Sequence, residues 1–218
     1  VPFGNIWSKP GHLSFTEAAA VPLGYVTAWR MVMTRGGVRP GQSVLIHGIG
    51  GGVAIAALQI CKLAGAEVIV TSSSNEKLSE AERIGADHTL NYEKIDDMAE
   101  AVLKITAGRG VDVAIDSVGA ATLGIDLKVL RKGGTVVLCG VTTGAEASVD
   151  LQRIYWNQLN IKGSTMGSDE DFRQMLRAVS AGKLKPVIHS VFELEKAREA
   201  TEIMEQGRQM GKIVLEIS

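Results

Sequence analysis

A strand that empties into a cluster of glycines and then into an apolar helix leaves a chain few ways to fold, and residues 43–64 read that way. SVLIHG (43–48) is β-branched and apolar, and HGIGGGVAIAA (47–57) then places four glycines in the five positions 48–52. The segment GVAIAALQICKLAGA (52–66) is apolar on nearly every side, so it predicts a helix that must be buried, ended by Gly65. Without a Cβ, glycine permits a tight turn and lets backbone amides approach a ligand, while the free N–H groups and dipole of the helix start attract an anionic group. Two registers of a GxGxxG pattern are open. Gly48 and Gly50 fit its first two glycines but put Val53 third, whereas Gly51 followed by Ala54 fits the later pair but puts Ile49 first.

The pattern repeats beyond the glycines. EVIVTS (67–72), HTLNY (88–92), VDVAIDSVG (111–119), GTVVLCG (134–140) and NIKGSTMG (160–167) predict strands. Helices are predicted near 75–84, across Met98, Val102 and Ile105, over AATLGIDLKVLRK (120–132), and from 169 to a stop at Gly182. Ser73 and Glu76, like Ser168 and Asp171, have the spacing of a helix-capping box. Strands alternating with helices imply a parallel sheet covered on both faces, an α/β, doubly wound domain. The flanks depart from this rhythm. Residues 1–40 carry the helical GYVTAWRMVM, and 183–218 read strand, helix, strand, ending in GKIVLEI.

Composition narrows the function. A formal net charge of −1 over 218 residues, with no long basic run, argues against nucleic acid or a membrane surface as partner. Cys61 and Cys139 lie far apart in apolar runs and read as reduced core thiols, which points to the cytoplasm. The histidines His12, His88 and His189 have no i, i+4 partner and no nearby cysteine, so no metal ligand set is expected. His47 reads as a hydrogen-bonded structural histidine close to the glycines, Asp116 as a helix cap or a pocket contact at a strand end. No serine sits in a GxSxG elbow, which disfavours a hydrolase. The first residue is Val1, so the chain is expected to be part of a longer protein.

The end of the second strand bears on which dinucleotide such a glycine turn would take. An acid there accepts hydrogen bonds from ribose hydroxyls in NAD sites. Here Ser72, Ser73 and Ser74 occupy the region, no carboxylate occurs before Glu76, and Lys77 follows. Hydroxyls and an ammonium suit a 2′-phosphate, so NADP(H) is favoured over NAD(H).

Taken together, LSFTEAAAVPLGYVTAW (13–29), GVRPGQSVLIHGIGGGVAIAALQICKLAGAEVI (37–69), EKLSEAERIGADHTLNY (76–92), GVDVAIDSVG (110–119), LRKGGTVVLCG (130–140) and GKIVLEI (211–217) resemble the medium-chain dehydrogenase/reductase superfamily. The likeness is closest to its quinone-oxidoreductase-like and zinc-binding dehydrogenase branches. It implies a six-stranded Rossmann domain over 31–168. It also implies that 1–30 and 169–218 are flanks of a substrate domain largely absent from the chain. The dinucleotide site it implies comprises Gly50, Gly51, Gly52 and Val53, with Thr27 and Gly140 near the nicotinamide, Ser72, Ser73, Lys77 and Tyr92 near the adenosine phosphate, and Lys212 in the tail facing the cleft. Zinc-dependent relatives carry a ligand just ahead of the segment matching GYVTAW. Pro22 and Leu23 stand there, which argues against a catalytic zinc. No residue is assigned a catalytic role. The expected activity is hydride transfer to a small-molecule quinone, activated alkene or carbonyl. The alternatives are a zinc-dependent alcohol dehydrogenase and a non-catalytic NADPH-binding module. Pairing of the sixth strand at the sheet edge would give a homodimer.

Overall fold

The computed structural model describes residues 3–217. After a short turn at Phe3–Asn5, α1 (Phe15–Ala20) and α2 (Pro22–Trp29) lead into a π-helical segment, Arg30–Gly36, that ends at Gly37 in the left-handed region. The central unit then runs β1 (Ser43–Ile46), α3 (Gly52–Leu63), β2 (Glu67–Ser72), α4 (Asn75–Ile84), β3 (His88–Asn91), α5 (Met98–Ile105), β4 (Val111–Asp116), α6 (Ala120–Val129), β5 (Leu130–Leu138), α7 (Leu151–Trp156) and β6 (Asn160–Gly163). Beyond it lie α8 (Asp169–Ser180), β7 (Ile188–Glu193), α9 (Ala197–Glu205) and β8 (Lys212–Glu216).

All six central strands are parallel, in the order β3-β2-β1-β4-β5-β6, while β7 and β8 form a separate parallel pair around α9. The strand alternation sorts the core into two layers. Val44, Ile46, Val68, Val70, Val113, Ile115 and Val137 face α2, α3, α4, α8 and the π-helical segment. Leu45, Ile69, Ala114 and Val136 face the opposite way, onto Met98, Ala99 and Val102 of α5 and Leu127 of α6. A sheet buried on both faces is why these strands read as continuous apolar runs. The buried face of α3 holds Ile55, Leu58, Ile60 and Cys61, all at 1% exposure or less, as its all-round apolar pattern requires.

Several boundaries differ from the sequence expectation. The helix expected over 120–132 stops at Val129, and β5 begins at Leu130 rather than at 134. Leu130 pairs with Val111, and the register then slips before Val113 meets Thr135, so tertiary pairing captures three residues that have helical spacing. The strands expected to reach 119, 140 and 167 end at Asp116, Leu138 and Gly163, because the following residues turn off the sheet into loops. The cap of α4 is Ser74, not Ser73: its hydroxyl accepts from Lys77 N at 3.3 Å, and the Ser73–Glu76 capping box does not form. The Ser168–Asp171 box does form, with both reciprocal bonds.

Candidate functional site

In a sheet ordered 3-2-1-4-5-6 the connections after β1 and β4 leave to opposite faces, which opens a crevice at the carboxyl ends of those two strands. The glycine turn sits there. Gly48 and Gly50 have φ of +66° and +136°, a conformation that side chains with a Cβ rarely adopt. Gly51 is the N-cap of α3 and has no side chain to cap it, and no N–H of Gly52, Val53 or Ala54 donates to another group among the described residues. A twelve-residue helix thus presents its uncapped, positively polarised end at the crevice. A Cβ on Gly51 would meet nothing nearer than the Gly48 carbonyl oxygen at 4.0 Å, so the space above the turn is open. This cradle fits the diphosphate of a dinucleotide.

Two lysines converge on the same turn. The Lys77 stem lies against Gly50: a Cβ there would stand 3.0 Å from Lys77 Cδ. Lys77 Nζ donates to the Gly207 carbonyl, and partial burial presses its ammonium below the ordinary lysine pKa. A phosphate in reach would relieve that desolvation. Lys212 crosses on the other side, its Cδ 2.7 Å from where a Gly52 Cβ would be. The tail is pinned beside the turn, since Gly211 N donates to the Gly50 carbonyl at 2.9 Å.

The β2 and β3 ends form the adjoining wall. Tyr92 N donates to the Ser72 carbonyl at 3.1 Å, and Asn91 Nδ2 donates to the Ser73 carbonyl at 3.0 Å. The buried Ser72 hydroxyl accepts from Ser74 N. Ser74 supplies the helix cap, and the Ser73 hydroxyl makes no hydrogen bond among the described residues. The nearest carboxylate in sequence, Glu76, is held by the Ser74 hydroxyl at 2.6 Å. Beside this wall lies a cleft of about 580 Å³, lined by His47, Gly48, Thr71 and Tyr92 and by the apolar side chains of Ile95, Met98, Val118 and Ile125. An apolar slot edged by polar groups suits a planar heterocycle with its sugar.

Thr27 and Gly140 stand apart from these groups. The Thr27 hydroxyl donates to the Leu23 carbonyl one turn back at 2.8 Å. One turn before it, Gly24 lets α2 press onto the start of α3, where a Cβ would lie 3.5 Å from the Gly52 oxygen. Gly140 brings the loop after β5 against Ser117, whose carbonyl oxygen would be 2.5 Å from an added Cβ. Near Leu23, a second cleft of about 460 Å³ is lined by Trp7, Val26, Met166 and Phe172. Pro22 and Leu23 offer no metal donor there, and no group of three or more His, Cys, Asp or Glu among the described residues is arranged to hold a metal ion.

Asp116 caps its own loop: its carboxylate accepts from Val118 N at 2.6 Å, Gly119 N at 3.1 Å and Thr122 Oγ1 at 2.8 Å. His47 is buried beneath the turn, with Asp126 of α6 against it. Nothing in the sequence singles out Asp126, which shares α6 with Thr122 and Lys128.

The family model for zinc-binding dehydrogenases matches residues 52–181. A zinc-type alcohol dehydrogenase-like protein of Schizosaccharomyces pombe is 38% identical over 100% of this chain, which spans 64% of that protein. The crystal structure of an NAD-dependent alcohol dehydrogenase superposes with a TM-score of 0.95 at 42% identity, covering 100% of this chain and 63% of its own. A 2-octenoyl-CoA carboxylase reductase, solved with NADP and 2-octenoyl-CoA, superposes with a TM-score of 0.89 at 31% identity, over 97% of this chain and 52% of its own. The chain therefore spans less than two thirds of these relatives.

Proposed function

The chain belongs to the zinc-binding dehydrogenase family, within the medium-chain dehydrogenase/reductases, and from that premise we propose that it is the dinucleotide-binding part of an NADP(H)-dependent oxidoreductase. The observation that carries this reading is the uncapped start of α3 behind four glycines at the crevice of the sheet. In this reading residues 31–168 form the dinucleotide-binding domain, and 1–30 and 169–218 pack with a substrate domain.

The residues divide the work as follows. Gly50, Gly51, Gly52 and Val53 hold the diphosphate by their backbone amides, with Lys212 adding positive charge. Ser72, Ser73, Lys77 and Tyr92 hold the adenosine end, and the hydroxyls with Lys77 favour a 2′-phosphate over a bare ribose. Thr27 and Gly140 border the nicotinamide. When bound, the cofactor supplies the hydride. The protein positions it beside the acceptor and excludes water, with the cleft at Leu23, Val26 and Met166, edged by Ser168 and Asp169, forming one wall of the acceptor site. The acceptor is a small molecule already polarised for hydride, such as a quinone, an activated alkene or a carbonyl. Pro22 and Leu23 support transfer without zinc.

The two free cysteines support a reducing, cytoplasmic setting, and no helix among the described residues is long and apolar enough to cross a membrane. A homodimer joined along the free edge of β6 agrees with the exposure of Ile161, Tyr155 and Trp156 at that end of the sheet.

Zinc-dependent alcohol oxidation is the second reading, favoured by the zinc-type name of the fission-yeast relative. Turnover and metal content of the full-length protein separate the two. NADPH oxidation with a simple quinone or an enoyl thioester that survives chelation supports the zinc-free reading. Stoichiometric zinc whose removal abolishes turnover supports the second. Tight NADPH binding with no turnover of any of these acceptors supports a non-catalytic module instead.

A further inference from the structure

Beneath the glycine turn lies a buried cluster of ionisable groups that the dinucleotide contacts above do not use. His47, 3% exposed, directly follows β1 and lines the larger cleft beside Gly48. Its Nε2 lies 2.9 Å from Asp126 Oδ1 and its Nδ1 lies 3.2 Å from Thr71 Oγ1. The same Thr71 hydroxyl accepts from Gly48 N at 3.4 Å, so the imidazole reaches the first glycine of the turn through a single hydroxyl. Asp126 is wholly buried, and its Oδ2 has no hydrogen-bond partner among the described residues. Asp116, also wholly buried, faces the pair from the end of β4. Across the cleft stand Tyr92, Asp96 and Asp97 ahead of α5, and Lys128 on α6.

We infer that His47 is a positioning residue for dinucleotide binding: it ties β2 to α6 beneath Gly48, and the His47–Asp126 pair takes up a proton as the dinucleotide binds. The inference rests on the dinucleotide reading of the turn. The imidazole Nε2–H donates to the Asp126 carboxylate, and the Thr71 hydroxyl, which can donate or accept, meets Nδ1 in either protonation state, so the bridge holds while the charge on the cluster changes. Two buried carboxylates around one imidazole leave excess negative charge in a poorly solvated place, and a diphosphate arriving beside Gly48 adds more. Binding therefore favours the protonated cluster. The charges are placed for this: burial works against the imidazolium, but the facing Asp126 outweighs it and Asp116 adds to it, holding His47 above the usual histidine range. Burial pushes the Asp126 carboxyl up to about 6, against the pull of His47.

The sign follows. Protons are bound more tightly in the complex, so affinity falls as pH rises from about 6. The test is calorimetric titration of the chain with NADPH at pH 6, 7 and 8, in two buffers of different ionisation enthalpy. Wild type, His47→Gln and Asp126→Asn are compared, each with a thermal melt as folding control. The titration of the 2′-phosphate is common to all three and cancels in the difference. Wild type is expected to take up a fraction of a proton more than His47→Gln, with a Kd that rises about three- to tenfold from pH 6 to 8. His47→Gln is expected to bind more weakly at pH 6 with a flatter profile. Asp126→Asn keeps the shape of the pair, guards against loss of folding in the glutamine variant, and is expected to lose the uptake too. Equal proton counts and equal pH slopes in the wild type and a folded variant would overturn the inference while leaving the dinucleotide site standing. No binding by wild type would overturn both.

Discussion

Gly51 and Lys77 make opposite demands on a bound dinucleotide, and substitution separates them. Gly51 has φ −72° and ψ 147°, which any residue can adopt, and its missing Cβ faces open space. Gly51→Val is therefore expected to leave the melting temperature nearly unchanged and to weaken NADPH and NADH alike, as measured by titration of each. Lys77→Ala is expected to weaken NADPH selectively, by about 1–3 kcal/mol if the ammonium meets the phosphate. An equal loss for both cofactors removes Lys77 from the phosphate site. At this scale the sequence spoke unevenly. The glycines were legible because a strand–glycine–helix pattern has few structural meanings. The choice between Ser73 and Ser74 as cap was not, because adjacent serines offer the same chemistry and the strand end decides which is used. Asp126 was invisible because its meaning comes from His47, 79 positions away in sequence.

Elements are tied together by a smaller number of polar anchors. Asp171, at the start of α8, accepts from Ser168 N at 2.8 Å, from Arg30 Nη1 at 2.7 Å and from the Thr34 hydroxyl, so it joins α8 to the π-helical segment. Burial opposes its ionisation, but these hydrogen bonds prevail and hold its pKa at about 2. A carboxylate depressed on folding stabilises the fold above its unfolded pKa of about 3.9, and that contribution is lost as pH falls through about 2. Asp171→Asn is expected to lower stability at neutral pH by about 1–3 kcal/mol and to flatten the fall in stability between pH 4 and 2, measured by thermal melts across that range. Had the bonds to Arg30 and Thr34 contributed nothing, the acid limb would be unchanged. The Ser168–Asp171 spacing predicted the capping box, since a cap is a local motif. The partners that Arg30 and Thr34 of the π-helical segment reach on α8, and the pairing of Leu130 with Val111 that opens β5, are not local.

The doubly wound architecture was readable because β1, β2 and β4 are buried, largely apolar runs and strands alternate with helices along the chain. The acceptor site was not readable, since the second cleft gathers residues far apart in the sequence, from Asn5 to Phe172, and the relatives extend beyond this chain by more than a third of their length. The claim on which everything else rests is that the uncapped start of α3 holds the diphosphate of a nicotinamide dinucleotide. Calorimetric titration of NADPH and NADH into the folded chain, with Gly51→Val alongside, tests it most directly. Saturable binding by the wild type, tighter for NADPH and lost in the valine variant, is the predicted result. No heat of binding for either cofactor, or equal affinity in the wild type and the variant, would contradict it.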